Sequence, residues 1–493
     1  MALILLLRDW EKAFRRLAIL VLLYSIPAFQ AMLPIDDPDI WWHLRTGQWI
    51  VEHGRVPTED PFSTYGMGKP WIAYSWLFEI LVYLVFRNLG LTGILLFVVV
   101  MSLSIALAVH LSIRRAGLAF LPEVVLLAIG FSAMKPIYTP RPWLFSILFF
   151  TVELAILYRI KRTGKLAAGL MLPPLFAVWA NLHIQFIYGL VVLALLIGEA
   201  FVFRLSRHSV ESESPALPVG HLSFLVLACV FATLMTPYHY HLYRPIFEYT
   251  LQTAAFQNIS ELQPLLFRSP ADWSVLALTI GAAYGLGFQR YRQRFTFLLL
   301  VMAAFLAFRA RRDVWVVVVV ATFIVSEYAC VVTAGRSFAL TRVRTACVVV
   351  GVILAVYSIG QYRQLSEPEL NRFVERHFPA GAVRFINHNK LGGPLYNNLD
   401  WGGYLIWTLP GLPVSMDGRT NLHGERRIER SLATWGGYGG WDSDPELMNS
   451  RLVIAESERP LTSLLRIDPR FKLVYEDTTS AVFVAVNREE KKK

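Results

Sequence analysis

Apolar positions dominate the first three quarters of this chain, in runs that alternate with short polar connections. Apolar runs fall near 17–33, 91–113, 118–134, 142–158, 167–181, 185–203, 221–236, 273–289, 295–308, 314–334 and 345–361. Most are long enough to cross a bilayer as a helix, which needs about 17–25 residues at 1.5 Å each, and several are short. The pattern predicts an α-helical polytopic membrane protein with about 11 transmembrane helices. Residues 71–87 are different: Trp71, Tyr74, Trp76 and Tyr83 are mixed with Glu79 and Arg87. Aromatic rings with polar edges favour the headgroup level, so this stretch reads as an interfacial or re-entrant helix.

After Gln361 the periodicity changes to that of a small soluble α/β domain. Helices are expected over 367–378, 381–390, 424–434 and 460–466, and short strands at 394–397, 412–416, 451–455, 471–475 and 481–486. The chain thus divides into a transmembrane domain, 1–361, and a C-terminal domain, 362–493. The transmembrane domain carries two long outer loops, 34–90 and 237–272. The segment 204–220, with Glu211 and Glu213, reads as a linker, and Lys491–Lys493 as a disordered tail. No solenoid repeat and no Gly-rich nucleotide fingerprint is present.

Composition sharpens this picture. Of 493 residues, 55% are hydrophobic and only 17% charged, well below the charged share of a soluble domain. The net charge is +11, almost all of it before residue 362. It serves to orient the spans. With the N-terminus in the cytoplasm, the tail and the connections around Arg114–Arg115, Arg159–Lys165, Arg204–Arg207, Arg290–Arg294 and Arg336–Arg344 fall on one side. They hold about threefold more Lys and Arg per residue than the opposite loops, as the positive-inside rule demands. The loop after the first span and the C-terminal domain are then periplasmic or extracellular. Arg8, Lys12, Arg15 and Arg16 ahead of an apolar run resemble a signal sequence, but the many later spans favour an uncleaved first helix. Cys229, Cys330 and Cys347 all sit in apolar runs without metal-ligand spacing and read as packing residues.

Candidate chemistry gathers on the outer side. Asp36, Asp37 and Asp39, followed by His43, open the first loop. Acids at the lip of a bilayer need a reason to be there. A carboxylate there suits general-base work on an acceptor hydroxyl, and His43, four residues after Asp39, would share a helix face with it. Asp37-Pro38-Asp39 also presents two oxygen ligands of the kind that hold Mg2+ or Mn2+. A helix cap would use one acid, not three. Arg309, Arg311 and Arg312 lie at the outer end of a span, against the charge rule, and guanidinium groups there suit a phosphate. Lys135 and Arg141, on a proline-rich outer turn, could line the same anionic site. Asn181 and His183 close another span. Tyr238, His239 and Glu261 belong to the second long loop and suit sugar binding or interface packing. Glu153 and Glu199, within spans, read as helix–helix hydrogen-bonding groups.

These motifs together resemble the GT-C class of polytopic glycosyltransferases. The nearest likeness is to bacterial members related to the dolichyl- and undecaprenyl-phosphate-sugar transferases, including the dolichyl-phosphate-mannose mannosyltransferases. The residues carrying the likeness are Asp37-Pro38-Asp39-Ile40-Trp41-Trp42-His43-Leu44, Arg141-Pro142, Asn181-Leu182-His183, Ile259-Ser260-Glu261 and Arg309–Arg312. In the tail, Asp400-Trp401-Gly402-Gly403-Tyr404-Leu405 and Asp417-Gly418-Arg419 resemble a bacterial subgroup. The resemblance implies an inverting transfer of a sugar from a polyprenyl-phosphate-linked donor to a lipid, glycan or protein acceptor. The loop acid would be base or metal ligand. No stretch matches the sequon-binding motif of oligosaccharyltransferases. A lipid-linked sugar transporter or flippase, and a non-catalytic scaffold of envelope polysaccharide assembly, are the other readings. A transporter would show inverted repeats and charges at the bilayer midplane, whereas the charges here cluster at the outer lip.

Overall fold

The structure, a computed structural model, describes residues 2–205, 217–250, 252–288, 294–333, 351 and 365–486. The 345–361 span, most of the 204–220 linker, Cys347, Arg290, Arg292, the Arg336–Arg344 connection and the Lys491–Lys493 tail lie outside them. Helices occupy the ten other apolar runs. Four are long and apolar enough to cross a membrane by length and composition: Trp76–Arg114, Trp143–Thr163, Phe186–Arg204 and Arg311–Thr333. Arg16–Ala31, Phe120–Ala133, Leu166–Leu182 and Val219–Thr233 are shorter apolar helices.

The described chain forms two compact units. One consists of residues up to Leu33, Leu95–Met235 and Glu261–Leu365. Its centre is the helix Val314–Thr333, whose residues from Val314 to Ile324 are all buried. A helix apolar on every side can be satisfied only by neighbours all round. Pro270–Gly287 packs along it, and a Cβ at Gly285 would sit 3.0 Å from the Tyr328 side chain, so the close crossing depends on glycine. Ser269 and Asp272 form a reciprocal capping box at the start of Pro270–Gly287. Glu199 joins two helices as expected, accepting from Lys161 Nζ (2.5 Å) and from the Phe295 N–H (2.8 Å). Glu153 differs. Its carboxyl is buried against Gly189, Phe176 and Trp179, and neither oxygen has a hydrogen-bond partner among the described residues.

The other unit gathers Pro34–Ile94, Thr236–Ser260 and the chain from Ser366. The first long loop and the second as far as Ser260 therefore form one body with the C-terminal segment. Four strands, β1 (Leu395–Asn397), β2 (Leu452–Glu456), β3 (Phe471–Glu476) and β4 (Ser480–Ala485), make a sheet of order β1-β2-β4-β3. β1 and β2 are parallel, and the other pairs antiparallel. Tyr396, Trp435, Leu447, Val453, Leu465 and Phe483 fill the core beside it. The predicted strand 412–416 is not part of this sheet. Val414 instead pairs with Ser63 of the first loop, taking hydrogen bonds from and giving them to its flanks (Thr64 N–H to Val414 O, 2.9 Å; Val414 N–H to Phe62 O, 3.1 Å).

Two glycine sites explain how the loops are held. The helix Trp76–Arg114 is broken at Gly90, at φ 63° and ψ −153°. That left-handed conformation separates the interfacial stretch from the following span and favours glycine. Glu367 caps the new helix start, accepting from Leu91 N–H (3.0 Å), Thr92 N–H (2.8 Å) and Thr92 Oγ1 (2.7 Å). Burial works to raise its pKa, but these donors win and hold it below the ordinary value. The second site is Gly402-Gly403, inside the helix Leu399–Thr408. A Cβ at Gly402 would lie 2.0 Å from Met416 O, and one at Gly403 2.5 Å from Pro38 O. Helix propensity yields here to close backbone packing.

Candidate active site

In the second unit, the acid-rich segment enters the helix Ile40–His53. Asp36 is exposed, Asp37 is buried at 7% exposure, and Asp39 is half-buried. Asp39 holds the N-cap position, but its side chain makes no cap hydrogen bond. Asp37 Oδ1 accepts the Asp39 N–H at 3.0 Å, which sets the turn between them. A Cβ at Gly418 would fall 1.9 Å from Asp39 Oδ1, so the Asp417-Gly418-Arg419 turn lies directly against that carboxylate. Gly418→Ala is therefore expected to displace Asp39 and to lower any activity that depends on its position by about tenfold or more. Gly411→Ala, where the added Cβ meets open space, is the silent control. Equal activity of the two variants would show that the position of Asp39 is irrelevant to it.

His43 is buried, with Nδ1 3.2 Å from Glu79 Oε1 and its ring against Trp42 and Phe78. Glu79, a lone acid in the aromatic 71–87 stretch, was not singled out in the sequence. Its placement among aromatic residues was the available signal. Tyr238 is a brace: its hydroxyl donates to Pro57 O (2.7 Å) and accepts from the Ala73 N–H (3.1 Å). His239 is exposed.

The same unit contains a buried ionic chain. Arg419, 2% exposed, donates to Asp417 from Nε (2.8 Å) and Nη2 (2.7 Å), and to Asp60 from Nη1 (2.6 Å). Asp60 also accepts from Ser63 Oγ and from the Phe62 and Ser63 N–H groups. His423 Nδ1 lies 2.6 Å from Arg427 Nη1, and its Nε2 accepts from the Asp417 N–H at 3.2 Å, with Asp417 Oδ2 also 3.2 Å away. Burial pushes the Asp417 pKa upward, but Arg419 and His423 outweigh it and hold the carboxyl well below the usual range. This motif is a cross-link between the first loop and the C-terminal segment.

In the first unit, the predicted anionic-site residues partly converge. Arg141 follows the 3-10 turn Lys135–Ile137, its guanidinium 5.3 Å from the Trp143 ring centre and its Nη2 3.7 Å from Glu261 Oε2. The segment holding Glu261 pairs with the arginine turn: Arg312 N–H donates to Glu261 O and Arg311 N–H to Gln263 O, both at 3.0 Å. Asp313, buried behind the turn, accepts from Gln185 Nε2 (2.8 Å) and Tyr188 (3.1 Å). Arg311 and Arg312 are half-buried, while Arg309 and Lys135 are exposed.

Burial, with Arg312 and Arg141 close by, pushes the His183 imidazole down to about 3. It is neutral throughout the working pH range. Trp179 Nε1 donates to Ser146 Oγ, which is also hydrogen-bonded to His183 Nδ1 at 2.8 Å. Ser146→Ala strips both of that partner, at an expected loss of about 1–3 kcal/mol, read as a lower Tm in detergent. An unchanged Tm would show that the chain carries no stability. Asn181 donates to Ala177 O (2.7 Å) and Met235 O (2.9 Å), which ties a helix end. Ser146, Trp179, Gln185 and Tyr188 were not identified from sequence, being ordinary polar residues at helix ends.

Among the described residues, no group of three or more His, Cys, Asp or Glu side chains is arranged to hold a metal ion.

No protein-family model matches the chain. No curated protein matches it either. Among solved structures, it is similar to ArnT from Cupriavidus metallidurans, both bound to undecaprenyl phosphate and in the apo state. Each has a TM-score of 0.50 at 14% identity, over 97% of this chain and 98% of that one. The oligosaccharyltransferase of Archaeoglobus fulgidus, in complex with Zn and sulfate, has a TM-score of 0.48 at 11% identity, over 95% of this chain and 73% of that one. The chain has the polytopic GT-C-class fold that its sequence motifs resemble.

Proposed function

We propose that this protein is a membrane glycosyltransferase. It moves a sugar, with inversion, from a polyprenyl-phosphate-linked donor to an acceptor hydroxyl on the periplasmic side. The observation carrying this reading is the near full-length likeness to a structure bound to undecaprenyl phosphate. The grouping of Arg141, Arg312 and neutral His183 supports it. Asp37 or Asp39 takes the proton of the acceptor hydroxyl as the anomeric carbon opens. Arg309, Arg311 and Arg312, with Arg141 and Lys135, hold the departing polyprenyl phosphate. Stabilising that leaving group is the electrostatic contribution expected to be largest. Glu261 orients Arg141, and exposed His239 is the better placed of the second-loop candidates to meet substrate.

The test is binding of undecaprenyl phosphate to purified protein, followed by sugar transfer from a polyprenyl-phosphate donor. Arg312→Ala and Arg141→Ala should each weaken binding by roughly tenfold or more, as expected for a charge-assisted contact. Undiminished binding in both variants would sink the phosphate assignment. A wild-type protein that moves the intact lipid between leaflets but transfers no sugar would make it a transporter.

A further inference from the structure

The helix Ile40–His53, which carries the aspartate turn at its start, lies directly on the first turns of the helix that begins at Trp76. Two contacts one turn apart make the crossing. A Cβ at Gly47 would fall 2.0 Å from Glu79 O and 2.8 Å from Tyr83 Cβ, so the backbones touch there. At His43, four residues earlier and on the same face, the ring Nδ1 is 3.2 Å from Glu79 Oε1. Both contacts thus end on Glu79. That residue stands on a held base: its N–H donates to Ser75 O (3.0 Å), and the Ala73 N–H is tied to the Tyr238 hydroxyl (3.1 Å).

Glu79 is 1% exposed, and its second oxygen, Oε2, has no hydrogen-bond partner among the described residues. Burying a carboxyl with an orphan oxygen is unfavourable, and an apolar side chain of the same length would pack at lower cost. An apolar side chain could not hold an imidazole by its Nδ1 edge. Trp42 and Phe78 confine the plane of the His43 ring, at centroid distances of 3.6 and 5.2 Å, and the Glu79 contact fixes its rotation within that plane. His43 in turn is bonded to the acid turn: its N–H donates to Asp39 O at 3.2 Å, the first hydrogen bond of the helix. Asp39 makes no side-chain cap bond, so the helix behind it anchors its backbone. We propose that Glu79 is a positioning residue for the reaction. Through His43 it holds the Asp37–Asp39 turn where an aspartate can take the acceptor proton, an inference that rests on the transferase reading above.

The experiment measures sugar transfer by full-length protein in detergent. The kcat is expressed per molecule able to bind undecaprenyl phosphate, so that a partly unfolded sample does not mimic a slow enzyme. Glu79→Met keeps the length and the packing and removes the hydrogen bond. It should lower kcat by roughly tenfold to a hundredfold, the scale of a small misplacement of a reacting group, with KM for the donor within about twofold of wild type. Glu79→Gln keeps a hydrogen-bonding group in the same place and should bring kcat back to within about threefold of wild type. The proposal is overturned if Glu79→Met turns over at the wild-type kcat. It is also overturned if Glu79→Gln is as slow as Glu79→Met, or if both variants change only the binding-competent fraction, the mark of a brace for stability alone. A wild type that binds undecaprenyl phosphate but transfers no sugar would defeat the transferase reading, and this inference with it. Normal wild-type transfer with unaffected variants defeats this inference alone.

Discussion

Arg419→Ala should destabilise the loop-bearing unit by about 3–5 kcal/mol, because it leaves two buried carboxylates without their shared cation. Asp60 is 2% exposed and Asp417 fully buried, and Arg419 bonds both. Its guanidinium also lies 4.6 Å from the Trp71 ring centre and 5.3 Å from that of Phe62, so truncation removes packing as well as charge. Arg419→Lys should rescue only part of the loss, since an ammonium cannot reproduce the fork that spans Asp417.

The expected pH behaviour follows from the sign of the Asp417 shift. A carboxyl held below its ordinary value of 3.8 contributes stability above that pH, and the contribution disappears as pH falls through its folded value. Without Arg419 the two acids can relieve their burial by taking up protons, so the deficit should narrow from pH 8 towards pH 5. The measurements are thermal unfolding and limited proteolysis of the outer segments in detergent. A Tm shift under about 2 °C, with unchanged protease resistance, would mean that the ionic chain is not the cross-link described.

Asp37→Asn or Asp39→Asn should abolish transfer with the fold intact. Removing a general base typically costs about 10²–10⁴ in rate. An asparagine Oδ1 can still accept the Asp39 N–H as Asp37 does, and at position 39 it has the same shape as the carboxylate resting on Gly418. Stability should therefore be nearly unchanged, which separates loss of chemistry from loss of structure. The measurement is sugar transfer from a polyprenyl-phosphate donor, alongside Tm. Full activity in both variants would remove the base from this loop. Loss confined to one variant would identify which aspartate serves.

Much of the helical unit was readable from hydrophobicity alone. In a bilayer, a segment must be apolar along its length and satisfy its own backbone, so apolar runs and helices coincide. The break before Leu91 was readable too, since the aromatic 71–87 stretch differs in composition from the span after it and Gly90 stands between them. Most of the short strands were readable because alternation and turn residues mark them. The 412–416 segment misled because a strand-like pattern says nothing about its partner; Val414 pairs with the first loop, far away in sequence. The helix at Gly402-Gly403 was not readable, because glycine locally signals a turn, whereas here its missing side chain lets Pro38 O and Met416 O approach a helix.

The site candidates divide along the same line. The acids of the first loop and the Arg309–Arg312 cluster are conspicuous in a chain so poor in charge, and the sequence by itself determined that they exist, while the positive-inside rule predicts a common side for them. It also determined the membrane character and the helical class, which depend on composition and on periodicity over neighbouring residues. Only the tertiary structure decided which polar groups act as braces. It put Glu79 on His43, Gln185 and Tyr188 on Asp313, Ser146 on His183, and Asp417-Gly418-Arg419 in the core against the first loop. Those partners lie tens to hundreds of residues apart or depend on side-chain direction. A buried polar group is satisfied by whatever the fold brings beside it, and local patterning carries no record of that.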